Sequence, residues 1–123
     1  MPYPNKVPMA DKIYCGTIAD ISTANSAAHI PIWGQGEVIH VSTCIANAIT
    51  SADATITVLK NGTAVTNGTI TIANSGSAEG DVDSVDITLG NCSVIKGDYI
   101  EVSSNGGSST ACKAHVVVVV REL

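Results

Sequence analysis

Apolar and polar residues alternate with a period of two along most of this chain. In "EVIHVSTCIANAI" (37–49), Ile39, Val41, Thr43 and Ile45 fall on one face, and Val38, His40, Ser42 and Cys44 on the other. "DATITVLK" (53–60) sets Ala54, Ile56 and Val58 against Thr55, Thr57 and Leu59. "VDSVDITLG" (82–90) groups Val85, Ile87 and Leu89, and "KGDYIEVSS" (96–104) groups Ile100 and Val102. This alternation marks half-buried strands, and no window carries the 3.6-residue period of a long amphipathic helix.

Turn chemistry separates the strands. Asn61-Gly62 is a strong hairpin signal, because a type I′ turn needs positive φ at both central residues. A second Asn-Gly follows at 67–68 and leads into "TITIA" (69–73), and "NGG" (105–107) makes another tight turn. "KIYCGTIADI" (12–21) is a strand, and "HIPIW" (29–33) is a short one that Pro31 confines to an edge or a bulge. About eight short antiparallel strands at roughly ten-residue spacing predict an all-β chain, a single β-sandwich or jelly-roll-like domain over 12–123. Residues 1–11, with prolines at 2, 4 and 8, predict an extended N-terminal arm.

The last strand is apolar on both faces. Cys112, Ala114, Val116, Val118 and Val120 form one face and predict the core side; the other begins with Lys113 and His115 and then carries Val117 and Val119. Burying a valine is worth about 1.5–3 kcal/mol. Val117 and Val119 therefore belong either to a central strand or to a subunit contact.

Composition narrows the function. Hydrophobic residues make up 45% and charged residues only 14%, low for an exposed monomer surface, so a partner is expected to cover part of it. The net charge of −5 and the lack of a basic stripe argue against nucleic acid. The longest apolar run, "AHVVVVV", is too short for a membrane-spanning helix, and "MPYPNKVPMADK" has no signal-peptide core; the expectation is a chain made in a reducing cytosol.

Chemistry-bearing patterns are sparse. Cys15, Cys44, Cys92 and Cys112 contain no CxxC pair, and the reading is four small buried or half-buried thiols, the alternative being a disulfide formed after release into an oxidising medium, with no pairing assigned. Glu79, Asp81, Asp83 and Asp86 lack EF-hand spacing and read as an acidic loop that blunts a strand edge. His29, His40 and His115 are far apart. No GxSxG elbow, P-loop or dinucleotide fingerprint occurs. The expectation is no enzyme, no metal and no cofactor.

The run "TSADATITVLKNGTAVTNGTITIANSGSAEGDVDS", followed by "VIKGDYIEVSSNGGSST" and a final hydrophobic strand, resembles a group of small β-rich virion proteins of tailed bacteriophages. The resemblance covers about residues 36–120, and its motifs are mostly turn chemistry. It implies a head decoration (cement) protein, assembled in the host cytoplasm. Such a protein sits on the capsid surface, often as a homotrimer, and clamps neighbouring major capsid protein subunits. The family supplies no catalytic residues and fixes neither the arm nor the cysteines.

The partner-binding residues expected are Tyr3, Pro4, Val7, Pro8 and Met9 of the arm, Trp33 in its Pro/Gly-flanked loop, and Val117 and Val119. Trp is enriched at binding hot spots; the competing position for Trp33 is a plug at one end of the core. The alternatives are another virion part (a head fibre or tail component) and a glycan- or host-surface-binding module. A cluster of the few aromatics, Trp33, Tyr3, Tyr14 and Tyr99, would favour the glycan reading.

Overall fold

Strand β9 (Ala114–Arg121) organises half of the molecule, lying between β1 (Asp11–Ile18) and β3 (Gly36–Ile45). In the computed structural model, which describes residues 11–122, these strands form one sheet in the order β1-β9-β3-β6, with β6 spanning Val82–Asp86 and the two-residue β7 (Ser93–Val94) pairing with β3. The second sheet has the order β2-β8-β4-β5, from β2 (Ala27–Pro31), β8 (Tyr99–Ser104), β4 (Ala54–Lys60) and β5 (Thr63–Ile72). All pairings are antiparallel. The chain crosses repeatedly between the sheets, which gives a β-sandwich of the jelly-roll kind.

The core is the seam between the sheets. Val38, Val41, Ile45, Val116, Val118 and Val120 from one sheet meet Ile30, Ala54, Ile56, Val58, Ile100 and Val102 from the other, all buried. The chain lacks Phe, so β-branched side chains fill this space, as suits stiff rotamers on a pleated surface. The even positions of β9 point inward as expected, and Pro31 ends an edge strand.

Four details depart from the sequence reading. Nine strands replace about eight, because β7 is an added two-residue pairing. Ile39 is the extra residue of a bulge: Val38 pairs with Val120 and His40 with Val119. The bulge turns Val38 into the core and leaves Ile39 half-buried, the reverse of strict alternation. Leu89 does not join Val85 and Ile87, since β6 ends at Asp86 and Leu89 stands exposed. The second Asn-Gly makes no hairpin turn: Asn67, at φ 59°, lies in an irregular bulge within β5.

Asn61-Gly62 does turn β4 into β5, with φ of 50° and 88°. Asp11, expected in the arm, is the first residue of β1 and pairs with Arg121. The arm residues Tyr3, Pro4, Val7, Pro8 and Met9 lie outside the described residues.

Candidate functional site

One end of the sandwich gathers most of the chemistry. It is formed by the segment after β2, the Asn61-Gly62 turn, and the segments on either side of β7. The Ile32 N–H donates to the Asp98 carbonyl at 2.8 Å, and the Gly97 N–H donates back to the Ile32 carbonyl at 3.2 Å. Gly97 sits at φ 101°, a left-handed turn that a side chain would strain. This clamp carries Trp33 outward, and Trp33 is 70% exposed. A plug at the end of the core is thereby excluded for Trp33. Its backbone N–H reaches Tyr14 Oη at 3.4 Å. Lys96 Nζ lies 4.3 Å from the centroid of the Trp33 ring, a cation–π contact worth about 0.5–1 kcal/mol at an exposed site.

Asp98 ties the neighbouring elements together. Its Oδ1 accepts from Asn61 Nδ2 at 3.0 Å and its Oδ2 from the Ile95 N–H at 2.9 Å, with Lys60 Nζ 4.0 Å away. The Asn61 hydrogen bond, then the Ile95 N–H, hold the Asp98 carboxyl below the usual carboxylate range. Asn61 Oδ1 accepts from the Tyr99 N–H at 2.9 Å. On the outer face of the four-stranded sheet, the rings of Tyr99 and His29 stand 5.9 Å apart at 45°. A shallow groove of about 340 Å³ opens on the other side of the turn, lined by Lys60, Asn61, Thr63, Ala64, Val65 and Asn91.

Glu37 braces this end from inside. It is buried, its carboxylate accepts from the Gly90 N–H at 2.9 Å, and Ser93 Oγ donates to it. Beside it, burial pushes the Cys92 thiol up to about 11.

Charge is balanced at the Trp33 end, where Asp11, Glu37, Asp98 and Glu122 accompany the cations, and is negative at the far end. Of the five Lys and Arg among the described residues, Lys12, Lys60, Lys96 and Arg121 lie at the Trp33 end. Asp20, Asp53, Glu79, Asp81 and Asp83 lie at the far end, with Lys113. Asp20 is structural there: it accepts from Ser22 Oγ at 2.7 Å, the Ser22 N–H at 2.9 Å and the Cys112 N–H at 3.1 Å.

The acidic loop and the three histidines are spread over the fold. Asp81 accepts from the Ala78 N–H at 2.8 Å, while Asp86 shares a 2.6 Å hydrogen bond with His40. Burial, then the charge of Asp81, raises the Asp83 carboxyl. His29 is on the four-stranded sheet, and His40 and His115 are on the other. Among the described residues, no three His, Cys, Asp or Glu side chains come together to hold a metal ion.

The outer face of the five-stranded sheet is the second surface of interest. The register places Ile13, Val119 and His40 in one row, and Cys15, Val117 and Ser42 in the next. Val117 and Val119 are half-buried by these neighbours on a central strand, while Ile13 and Val82 stand 59% and 66% exposed. Trp33 and the two valines therefore occupy different surfaces. The pattern-based reading passed over Asn61, Lys96 and Asp98, because what joins them is a long-range hydrogen-bond set with no local motif.

No family model matches the chain, and no curated protein does. Solved structures do. A CBM35 module from Cellvibrio japonicus Abf62 superposes with a TM-score of 0.56 at 12% identity, over 89% of this chain and 96% of that one. A CBM36 carbohydrate-binding module, solved with calcium and xylotriose, gives 0.52 at 15% identity, over 94% and 100%. The Eiger TNF structure from S. frugiperda gives 0.55 at 7% identity, over 93% of each chain. At such identities the likeness defines the fold: this chain is a β-sandwich of the kind shared by carbohydrate-binding modules and a TNF protein.

Proposed function

We propose that this protein is a non-catalytic binding module that holds a glycan at its Trp33 end. The observation that carries the reading is the exposed Trp33 ring, presented by the Ile32–Asp98 clamp with Lys96 over its face, at the same end of the sandwich as the groove lined by Lys60, Asn61, Thr63 and Asn91. An aromatic surface with a few fixed polar groups is the usual make-up of a small-molecule site. The sandwich neighbours named as carbohydrate-binding modules lend the reading further support. Affinity electrophoresis of the full chain through gels containing plant and bacterial polysaccharides tests it. Retardation by at least one polymer, lost in Trp33→Ala, is expected. Unretarded migration through every gel would sink the glycan reading.

A second reading, head decoration of a tailed phage, draws on a different surface. The outer face of the five-stranded sheet carries Ile13, Val117 and Val119 side by side, bordered by His40, Ser42 and His115, which suits a protein interface with a small apolar centre and a polar rim, and the sequence resemblance points the same way. In this reading the chain is a homotrimer that binds major capsid protein on the assembled head. A cement protein stabilises by binding only the assembled state, so its effect follows mass action. Light scattering after size exclusion, with Val117→Lys and Val119→Lys as interface variants, tests it. A trimer that both variants dissociate without unfolding supports decoration; a monomer at micromolar concentration removes the support.

A further inference from the structure

The Trp33 end already carries a cation on its aromatic platform. Lys96 Nζ stands 4.3 Å from the ring centroid, and the ring nevertheless remains 70% exposed. The other cations at this end have carboxylate partners: Lys12 with Glu122 at 3.3 Å, Lys60 with Asp98 at 4.0 Å, and Arg121 with Asp11 at 3.1 Å. Lys96 makes no ion pair among the described residues. Asp98 and Glu37 are likewise engaged, with the Asn61 amide and the Ile95 N–H, and with the Gly90 N–H and the Ser93 hydroxyl.

A ligand at this end therefore meets, among the described residues, an ammonium with no carboxylate partner beside an open indole. A neutral sugar that stacks on Trp33 gains the ring but has to share it with Lys96. A sugar whose ring bears a carboxylate gains both, because the ammonium becomes its ion-pair partner as the ring packs. Charge-assisted hydrogen bonds are roughly twice as strong as neutral ones. A chain long enough to cross this end, past the Asn61-Gly62 turn, meets further donors in the groove there: the amides of Asn61 and Asn91, the Thr63 hydroxyl and the half-paired Lys60. The far end, with five carboxylates against Lys113, would repel the same polymer, whereas the carboxylates of the Trp33 end are already paired or hydrogen-bonded.

We infer that the glycan held at the Trp33 end is an acidic one, built of carboxylate-bearing sugars, and that Lys96 reads its charge. This inference rests on the glycan reading above. Its test uses one polymer in two charge states: polygalacturonate and its methyl-esterified form, each cast in a native gel, with the full chain as probe.

Polygalacturonate is expected to retard the protein about tenfold more strongly than the ester. Lys96→Gln is expected to erase that difference, while Lys96→Arg keeps it, and so does Lys113→Gln, which removes a charge at the far end. Raising the salt to about 0.5 M is expected to weaken the acidic gel selectively. Equal retardation by both forms, or a Lys96→Gln variant that still prefers the acid, overturns the inference and leaves the glycan reading standing. A chain that no polysaccharide retards overturns both.

Discussion

Asn61 and Asp98, 37 residues apart, are joined by a 3.0 Å hydrogen bond from Asn61 Nδ2 to Asp98 Oδ1, while Asn61 Oδ1 takes the neighbouring Tyr99 N–H at 2.9 Å. One side chain thus locks the β4–β5 turn to the start of β8, and it does so from a left-handed backbone at φ 50°. Asn is suited to both tasks: it tolerates that conformation, and its amide both gives and accepts. Asn61→Ala is expected to cost about 2 kcal/mol, roughly half from backbone strain and half from the orphaned Tyr99 N–H. Asn61→Gly should recover the strain component alone. Asn61→Asp keeps the acceptor but sets a second carboxylate against Asp98. It is therefore expected to be less stable than wild type at pH 7, with the gap closing towards pH 4 as one carboxyl takes up a proton. Urea unfolding at the two pH values reads all three.

Two carboxyls, Asp20 and Asp98, are held below the usual range by hydrogen bonds to their ionised forms, Asp20 chiefly by the Ser22 hydroxyl and Asp98 chiefly by Asn61. A carboxyl whose folded pKa is depressed contributes stability that is fully present above its unfolded value, about 3.9, and is lost as pH falls through the folded value. The contribution of these two carboxyls is therefore expected to be level between about pH 5 and pH 7 and to fall away below about pH 4. Replacing both residues with Asn should flatten that acid limb. Thermal melts across pH 2.5–7 check this, and an unchanged acid limb in the double variant would mean that other carboxylates dominate it.

Most of the fold was legible because its signals are local. Period-two alternation placed Ala54, Ile56 and Val58 correctly, and Asn61-Gly62 announced its own turn. The misreadings share one physical cause, which is that pairing register is a property of two strands. Nothing within "EVIHVS" says that Ile39 is the bulged residue; that follows from how Val38 and His40 meet Val120 and Val119. Asn67-Gly68 has the same composition as the real turn, yet it continues β5 as a bulge because Thr69–Ile72 still pair with β4. The candidate site was half legible. Trp33 stood out by composition, but Lys96 reaches it only after the clamp between Ile32, Gly97 and Asp98 has formed.

Gly36 is a close-approach glycine. A Cβ built there would stand 2.3 Å from the Arg121 carbonyl oxygen, and backbone cannot yield as a side chain does. Gly36→Ala must therefore push β3 from the end of β9. A cost of about 3 kcal/mol is expected, at the upper end of overpacking effects, or about 10 °C in Tm for a chain of this size. Gly34, two residues earlier, meets nothing nearer than Lys12 Cε at 3.8 Å. Gly34→Ala is expected to fall within about 0.5 kcal/mol of wild type. Equal melts for the two variants would show that the β3–β9 junction relaxes freely.

The four thiols are free and differ in access, and Cys15 departs from the expectation of four buried or half-buried thiols. Cys15 is exposed on the outer face of β1, and Cys44 is half-covered, its Sγ donating to the Gly80 carbonyl at 3.6 Å. Cys112 is buried and donates to the Asn47 carbonyl at 3.2 Å; Cys92 is buried and pushed up to about 11. The thiolate is the reactive form, so burial protects Cys92 twice, by exclusion and by keeping it protonated. With a charged disulfide reagent at pH 8, the native protein is expected to lose one thiol quickly, a second slowly, and two only on unfolding. Cys15→Ser should remove the fast phase alone. Because Cys15 lies beside Val117, a partner seated on that sheet face would slow the fast phase. Labelling at rising protein concentration therefore reports on self-association: a fast phase independent of concentration means that the Val117 face stays open in solution, and one that slows with concentration means that a second copy covers it.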